Sequence, residues 1–127
     1  MIIKNILVLL INLIFFSSCS DFFLTEKMID CENYHPQYTF EKDIKPIFNK
    51  YCISCHRSDN AIAGLDLSNY SEFNISKYFI PGDTTQGLIL EWIKDVEDPM
   101  PPSWFGVMDR DTINIINKWI LECAIEN

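Results

Sequence analysis

The sequence predicts one small all-α domain of about four helices, with a long loop after the first. Three observations point there. Apolar side chains recur at three- and four-residue spacings in the stretches 40–51, 88–93 and 113–123, the pattern of helices that bury one face. No strand-rich pattern precedes Cys52, and Arg57 to Pro81 reads mostly as loop with short helical pieces. A chain of 127 residues is the size of a single domain.

Taken in order, helix 1 carries Phe40, Ile44, Ile47, Phe48 and Tyr51 on one face. Thr39 or Asp43 can cap it. Pro46 is tolerable only in a first turn, which favours a start near Lys42 or Asp43. In the long loop, Leu65 and Leu67 flank Asp66, and Ser68 or Asn69 can cap a short helix bearing Tyr70 and Phe73. Pro81-Gly82-Asp83 is a turn signal. Asp83 with Gln86 forms a variant capping box for helix 3, which runs to about Lys94 with Leu88, Ile89, Trp92 and Ile93 facing inward. Asp98-Pro99-Met100-Pro101-Pro102 can be neither helix interior nor central strand, so it is a rigid extended segment. The last helix spans about Arg110 to Ala124, with Asp109 as N-cap and Ile113, Ile116, Trp119, Ile120 and Cys123 on the face expected to cross helix 1.

Helix 1 delivers the chemistry-bearing stretch, Cys52-Ile53-Ser54-Cys55-His56. Two thiols three apart with an imidazole next to the second read as a c-type haem attachment site. Positions i, i+3 and i+4 of a helical turn share a face, so Cys52, Cys55 and His56 can address one flat object. The thiols can add to the two vinyl groups, and His56 can bind the iron. Two other readings stay open. A zinc half-site needs further ligands from Cys31, Cys123 and His35, which form no second close pair. A redox dithiol usually opens a helix inside a strand–helix–strand unit. For the other side of the iron, Met100 is the candidate, because prolines hold its backbone still; a thioether opposite His raises the reduction potential. Met108 competes, but as N′ before Asp109 it has a packing role against Ile113. Leu65 and Leu67, with the small Ala61, Ala63 and Gly64, are expected to line the haem face.

The N-terminus speaks to location. Residues 1–18 hold one charge, Lys4, then an apolar run from Ile6 to Phe16 broken by Asn12. That is the form of a secretory signal, too short for a confident membrane span. Phe16-Ser17-Ser18-Cys19 resembles a bacterial lipobox, with Phe16 where Leu is more usual; this implies cleavage before Cys19 and lipid on its sulfur. The alternative is an uncleaved anchor helix. The expected organisation is a lipoprotein signal peptide over 1–18, a lipidated tether over 19–37 and the haem domain over 38–127, at the cell envelope and lipid-anchored to a bacterial membrane. The formal charge of −8 makes nucleic acid an unsuitable partner. Acidity suits a partner with a basic docking face, although solubility alone can also account for it. Cys31 and Cys123 flank the domain in an oxidising compartment, and a Cys31–Cys123 disulfide is expected, against the alternative of two free or buried thiols.

Residues Phe40 to Asn127 resemble the small bacterial cytochrome c-like domains described as planctomycete-type cytochrome c. The matching pieces are Asp43-Ile44-Lys45-Pro46-Ile47-Phe48, Cys52-Ile53-Ser54-Cys55-His56, Gly64-Leu65-Asp66-Leu67-Ser68, Pro81-Gly82-Asp83, Met100-Pro101-Pro102 and Trp119-Ile120. The likeness implies an all-α single-haem fold with Cys52 and Cys55 attached and with His56 and Met100 axial. Gly87 stands where Ser is commoner, and Cys123 replaces a Gly. The expectation is a monomeric electron-transfer protein with one covalent haem c and a redox partner protein, not an enzyme beyond weak peroxidase-like activity. Two alternatives are a haem enzyme or gas sensor with an open sixth position, and a binding module in which haem or metal is only a staple.

Overall fold

A computed structural model describes residues 29–74 and 77–127. The expected signal peptide, Cys19 and most of the tether lie outside these residues. Within them the chain is largely helical, with four α-helices: α1 (Lys45–Tyr51), α2 (Tyr70–Phe73), α3 (Leu88–Lys94) and α4 (Arg110–Leu121). One departure from all-α is a two-residue antiparallel pair, β1 (His56–Arg57) with β2 (Asn60–Ala61). It closes a tight turn behind the Cys-x-x-Cys-His motif, held by Asn60 donating to the Ser54 carbonyl at 3.2 Å and by Ile62 N–H donating to the Cys55 carbonyl at 3.1 Å. Strands this short have no alternation to read.

Helix 1 starts earlier than expected, through a π-helical turn over Phe40–Ile44. Pro46 explains the wide turn. Its ring would crowd the carbonyl four residues back, and it has no N–H to bond there. The wider i→i+5 register, seen in Ile44 N–H to the Thr39 carbonyl and Lys45 N–H to the Phe40 carbonyl, makes room before α1 proper begins. Asp43 does not cap from the front; its carboxylate accepts the Thr39 N–H at 2.9 Å.

Helix α3 starts later than expected, at Leu88. Asp83 accepts from Thr85 N–H, Thr85 Oγ1 and Gln86 Nε2 at 2.7, 2.6 and 2.9 Å, so it closes a turn instead of capping a helix. The boundary is Gly87, at φ +95°, where a Cβ would stand 2.6 Å from the Phe79 Cα and the Tyr78 carbonyl oxygen. Only glycine fits both the conformation and the approach.

The core is a knot of rings between the π turn, α2 and α4. Phe40, Phe48, Phe73, Phe79 and Trp119 are all essentially inaccessible, and Phe40 meets Phe73 at 5.4 Å and Trp119 at 6.2 Å between centroids. Each such side chain contributes about 1.5–3 kcal/mol relative to exposure. The apolar face of α4 thus packs where expected, chiefly against the turn ahead of α1. The backbone seals the same seam: Phe40 and Glu41 N–H groups donate to the Ile125 and Glu126 carbonyls at 2.9 and 3.0 Å.

Asp109 caps α4 as expected, accepting the Thr112 N–H at 2.9 Å and its hydroxyl at 2.7 Å. The helix ends three residues before the expected Ala124. Ala124 N–H bonds the Trp119 carbonyl and Cys123 N–H the Ile120 carbonyl, a Schellman close, with Cys123 in the left-handed C′ position at φ +72°. That position is ordinarily glycine. Here Cys123 is disulfide-bonded to Cys31, with Cα atoms 5.5 Å apart, so the staple fastens the entering chain to the end of the last helix.

Candidate haem site

The motif grows out of the C-terminus of α1. Cys52 is the C-cap, and the helix unwinds there. The Cys55 and His56 N–H groups both donate to the Cys52 carbonyl at 3.0 Å, which wraps the five residues into one turn. The loop is then stitched back to this turn, with Leu67 N–H donating to the His56 carbonyl at 2.9 Å. That bond brings buried Leu65 and Leu67 to the wall beside His56.

Beside the motif lies a cleft of about 610 Å³, part of it open to solvent. Cys52, Cys55 and His56 form one wall, with Phe48 and Tyr51 of α1. Ile89, Trp92 and Ile93 of α3 form another. Met100, Pro101 and Pro102 close it, anchored by Met100 N–H donating to the Trp92 carbonyl at 3.0 Å. Trp104 and Phe105 stand at the same cleft, and Met108 and Ile116 complete it. Cys52, Cys55, His56, Leu65, Leu67 and Met100 therefore line one cavity, whereas Ala61, Ala63 and Gly64 are exposed and lie outside its lining, because the tight β1–β2 turn carries them to the surface. Met108 lines it as well, as a buried core residue, whereas Met100 is 37% exposed. Met108 is thus both the packing residue its position before Asp109 suggests and a second thioether at the cleft. Trp104 and Phe105 had no periodicity to announce them; their only signal was apolar bulk one residue beyond the Pro101-Pro102 pair.

The residues fit a haem. The lining is overwhelmingly apolar, suited to a porphyrin face. Within it, the Nδ1 of His56 is buried with no hydrogen-bond partner. An orphaned ring nitrogen costs about 1–3 kcal/mol in a protein interior, so this imidazole is not a satisfied core histidine. Two thiols, an imidazole and a thioether are a donor set that haem iron and vinyl groups use.

The competing readings of the motif lose their supports. Cys31 and Cys123 are bonded to each other, and His35 is exposed and away from the cleft. Among the described residues no group of three or more His, Cys, Asp or Glu side chains could hold a metal ion. A redox dithiol has a lowered thiol pKa, but burial pushes the Cys52 thiol up to about 12.

Residues 52–103 match the family model described as Planctomycete cytochrome C. No curated protein and no solved structure matches the chain. The matched stretch runs from the first motif cysteine past Met100-Pro101-Pro102, and so spans both halves of the cleft. That stretch is similar to a cytochrome c-like domain, and haem is the group that this likeness implies.

Proposed function

We propose that this chain carries one covalently attached haem and passes single electrons. The observation behind the reading is the convergence of Cys52, Cys55, His56 and Met100 on one apolar cleft, with a His56 ring nitrogen left unpaired in its wall. Cys52 and Cys55 supply the thiols for two thioether links. His56 would supply an imidazole to the iron. Met100, anchored by its N–H donating to the Trp92 carbonyl, would supply a thioether. Leu65, Leu67, Ile89 and Ile93 would keep water from the group, which favours the reduced, less charged centre. Haem, when bound, supplies an iron that alternates between ferrous and ferric states. The chain's own contribution is to fix ligands, dielectric and access.

The test is attachment. The protein exported in a host with cytochrome c maturation machinery should retain one haem by mass after acid–acetone extraction. Cys52→Ala and Cys55→Ala should each lose one thioether link, and the double variant should release all haem. Haem freely extracted from the wild type would refute covalent binding.

A second reading rests on the exposure of Met100. With its thioether off the iron, the cleft keeps an open position for peroxide, CO or NO. An unchanged spectrum in Met100→Ala would support that reading.

The location completes the proposal. The apolar run ending in Ser17-Ser18-Cys19 supports export and lipidation at Cys19, and the Cys31–Cys123 disulfide suits an oxidising compartment. The protein is then a lipid-anchored monomer of the bacterial envelope. Globomycin, which blocks lipoprotein signal cleavage, should hold the precursor uncleaved, and Cys19→Ser should do the same.

A further inference from the structure

Large apolar side chains on the surface are unevenly spread. Of the seven exposed ones among the described residues, five fall between positions 96 and 107: Val96, Met100, Trp104, Phe105 and Val107. Val96, Trp104 and Val107 are 93%, 79% and 71% exposed, so little of their apolar surface is spent on packing. Met100, Trp104 and Phe105 reach this surface from the cleft itself. The segment is held in place: Phe105 N–H bonds the Pro102 carbonyl at 2.8 Å, Met100 N–H bonds Trp92, and the Trp104 and Phe105 rings meet edge to face. A fixed apolar patch at the mouth of a cofactor cleft marks an interaction site.

Charge says what covers it. Glu91, Asp95, Glu97, Asp98, Asp109 and Asp111 flank the segment in sequence, all exposed, against Lys94 and Arg110, with Lys50 within electrostatic reach of Asp109. Asp95 spends its carboxylate accepting the Glu97 and Asp98 N–H groups, which shapes the turn that lifts Val96 outward. On the motif side of the cleft the neighbouring charges are Lys50 and the mutually paired Arg57 and Asp59. The patch is therefore apolar at its centre and anionic along one rim. An anionic lipid surface would be repelled by that rim, whereas a protein face ringed with Lys and Arg would be steered onto it.

We propose that the 96–107 segment is the docking surface for a redox partner protein that presents an apolar contact ringed by lysine or arginine. This rests on the electron-transfer reading above and adds where, and to what chemistry, the electron passes. Such encounters are small, weak and salt-sensitive.

The test uses the mature haem-loaded protein in its reduced form, with a lysine-rich mitochondrial cytochrome c as the probe. Electron transfer is followed by stopped flow at about 10 mM and about 200 mM ionic strength. A small neutral quinone serves as a mediator that needs no docking. The rate to the basic probe should fall at least tenfold with salt. Glu97→Lys/Asp98→Lys should lower the low-salt rate about tenfold, and Val96→Ser/Val107→Ser several-fold, with quinone rates and haem spectrum unchanged. Glu32→Lys/Glu126→Lys, which makes the same charge change at two exposed sites outside the cleft lining, should stay within twofold. An equal loss from the distal pair would reduce the effect to bulk charge and overturn the proposal. So would rates indifferent to all three pairs. Loss of binding of the lipid-free protein to phosphatidylethanolamine–phosphatidylglycerol vesicles in the valine pair, with rates unchanged, would make the patch lipid-facing instead. No exchange even with the quinone would sink the electron-transfer reading itself, and that outcome is distinct from the others.

Discussion

Replacing the Cys31–Cys123 pair separates two effects that the native residue combines. The bridge closes a loop with a sequence separation of 92. In the chain-entropy description, releasing such a loop lowers stability by about 4.6 kcal/mol at 25 °C. Cys123 also holds the left-handed C′ position of α4 at φ +72°, where a non-glycine residue costs about 1 kcal/mol or more. Cys31→Ser/Cys123→Ser should thus lose about 4–5 kcal/mol. Cys31→Ser/Cys123→Gly should recover about 1 kcal/mol of that. For a domain of this size the serine pair corresponds to a fall of roughly 15–30 °C in Tm. The assay is urea and thermal unfolding of the haem-loaded protein, followed by far-UV circular dichroism, with the wild type measured in the presence and absence of reductant. A serine pair within about 1 kcal/mol of wild type would refute the staple. A glycine pair no better than the serine pair would refute the strained C′ position.

Three further predictions follow from single features. Gly87→Ala should destabilise by about 3 kcal/mol or more, since its Cβ meets backbone on two sides, whereas Gly106→Ala, at φ +126° with nothing within 4 Å, should lose about 1 kcal/mol; comparing their urea midpoints decides it. Met100→Ala should remove the far-red Met–iron band with little loss of stability, while Met108→Ala should keep the band and lose about 2–4 kcal/mol through a core cavity; the reverse pattern would assign the ligand to Met108. The carboxyls of Asp83, Asp95 and Asp109 are held below their usual range, first by the Thr85 hydroxyl, the Asp98 N–H and the Thr112 hydroxyl respectively. Each folded pKa is below the unfolded value of about 3.9, so their stabilisation is present above that pH and is lost as pH falls below it. Asp109→Asn, which keeps a cap but no titrating group, should flatten part of the acid limb of a Tm-against-pH profile.

The site was more legible in the sequence than the path of the chain around it. Cys52, Cys55 and His56 are adjacent, so one helical turn was enough to bring them together. Met100 could be singled out because prolines on both sides left it no regular structure to belong to. Cys31 with Cys123 was legible only as an expectation from compartment and flanking position; what makes the pairing possible is the Schellman close of α4, which no periodicity reveals. The boundaries were the weaker part. Asp83 and Gln86 have the spacing of a capping box, but Gly87 is pressed against the 78–79 backbone, and that tertiary contact delays α3 to Leu88. Pro46 showed that something must happen near the start of helix 1, but not that a π turn would accommodate it. The β1–β2 pair is held by the Asn60 side chain and the Cys55 carbonyl, and both are non-periodic signals. Met108 was ranked behind Met100 as a ligand because a residue before an N-cap has an obvious local job; its place at the cleft depends on where α4 crosses the chain. Cys19 lies outside the described residues, so lipidation stands on the sequence.

The most direct test of the central claim is the absorption spectrum of the exported protein, oxidised, reduced and as the pyridine haemochrome. A c-type haemochrome, with a low-spin six-coordinate spectrum in the reduced state, is the predicted result. A chain that matures without haem, with Cys52 and Cys55 still free thiols, would contradict it.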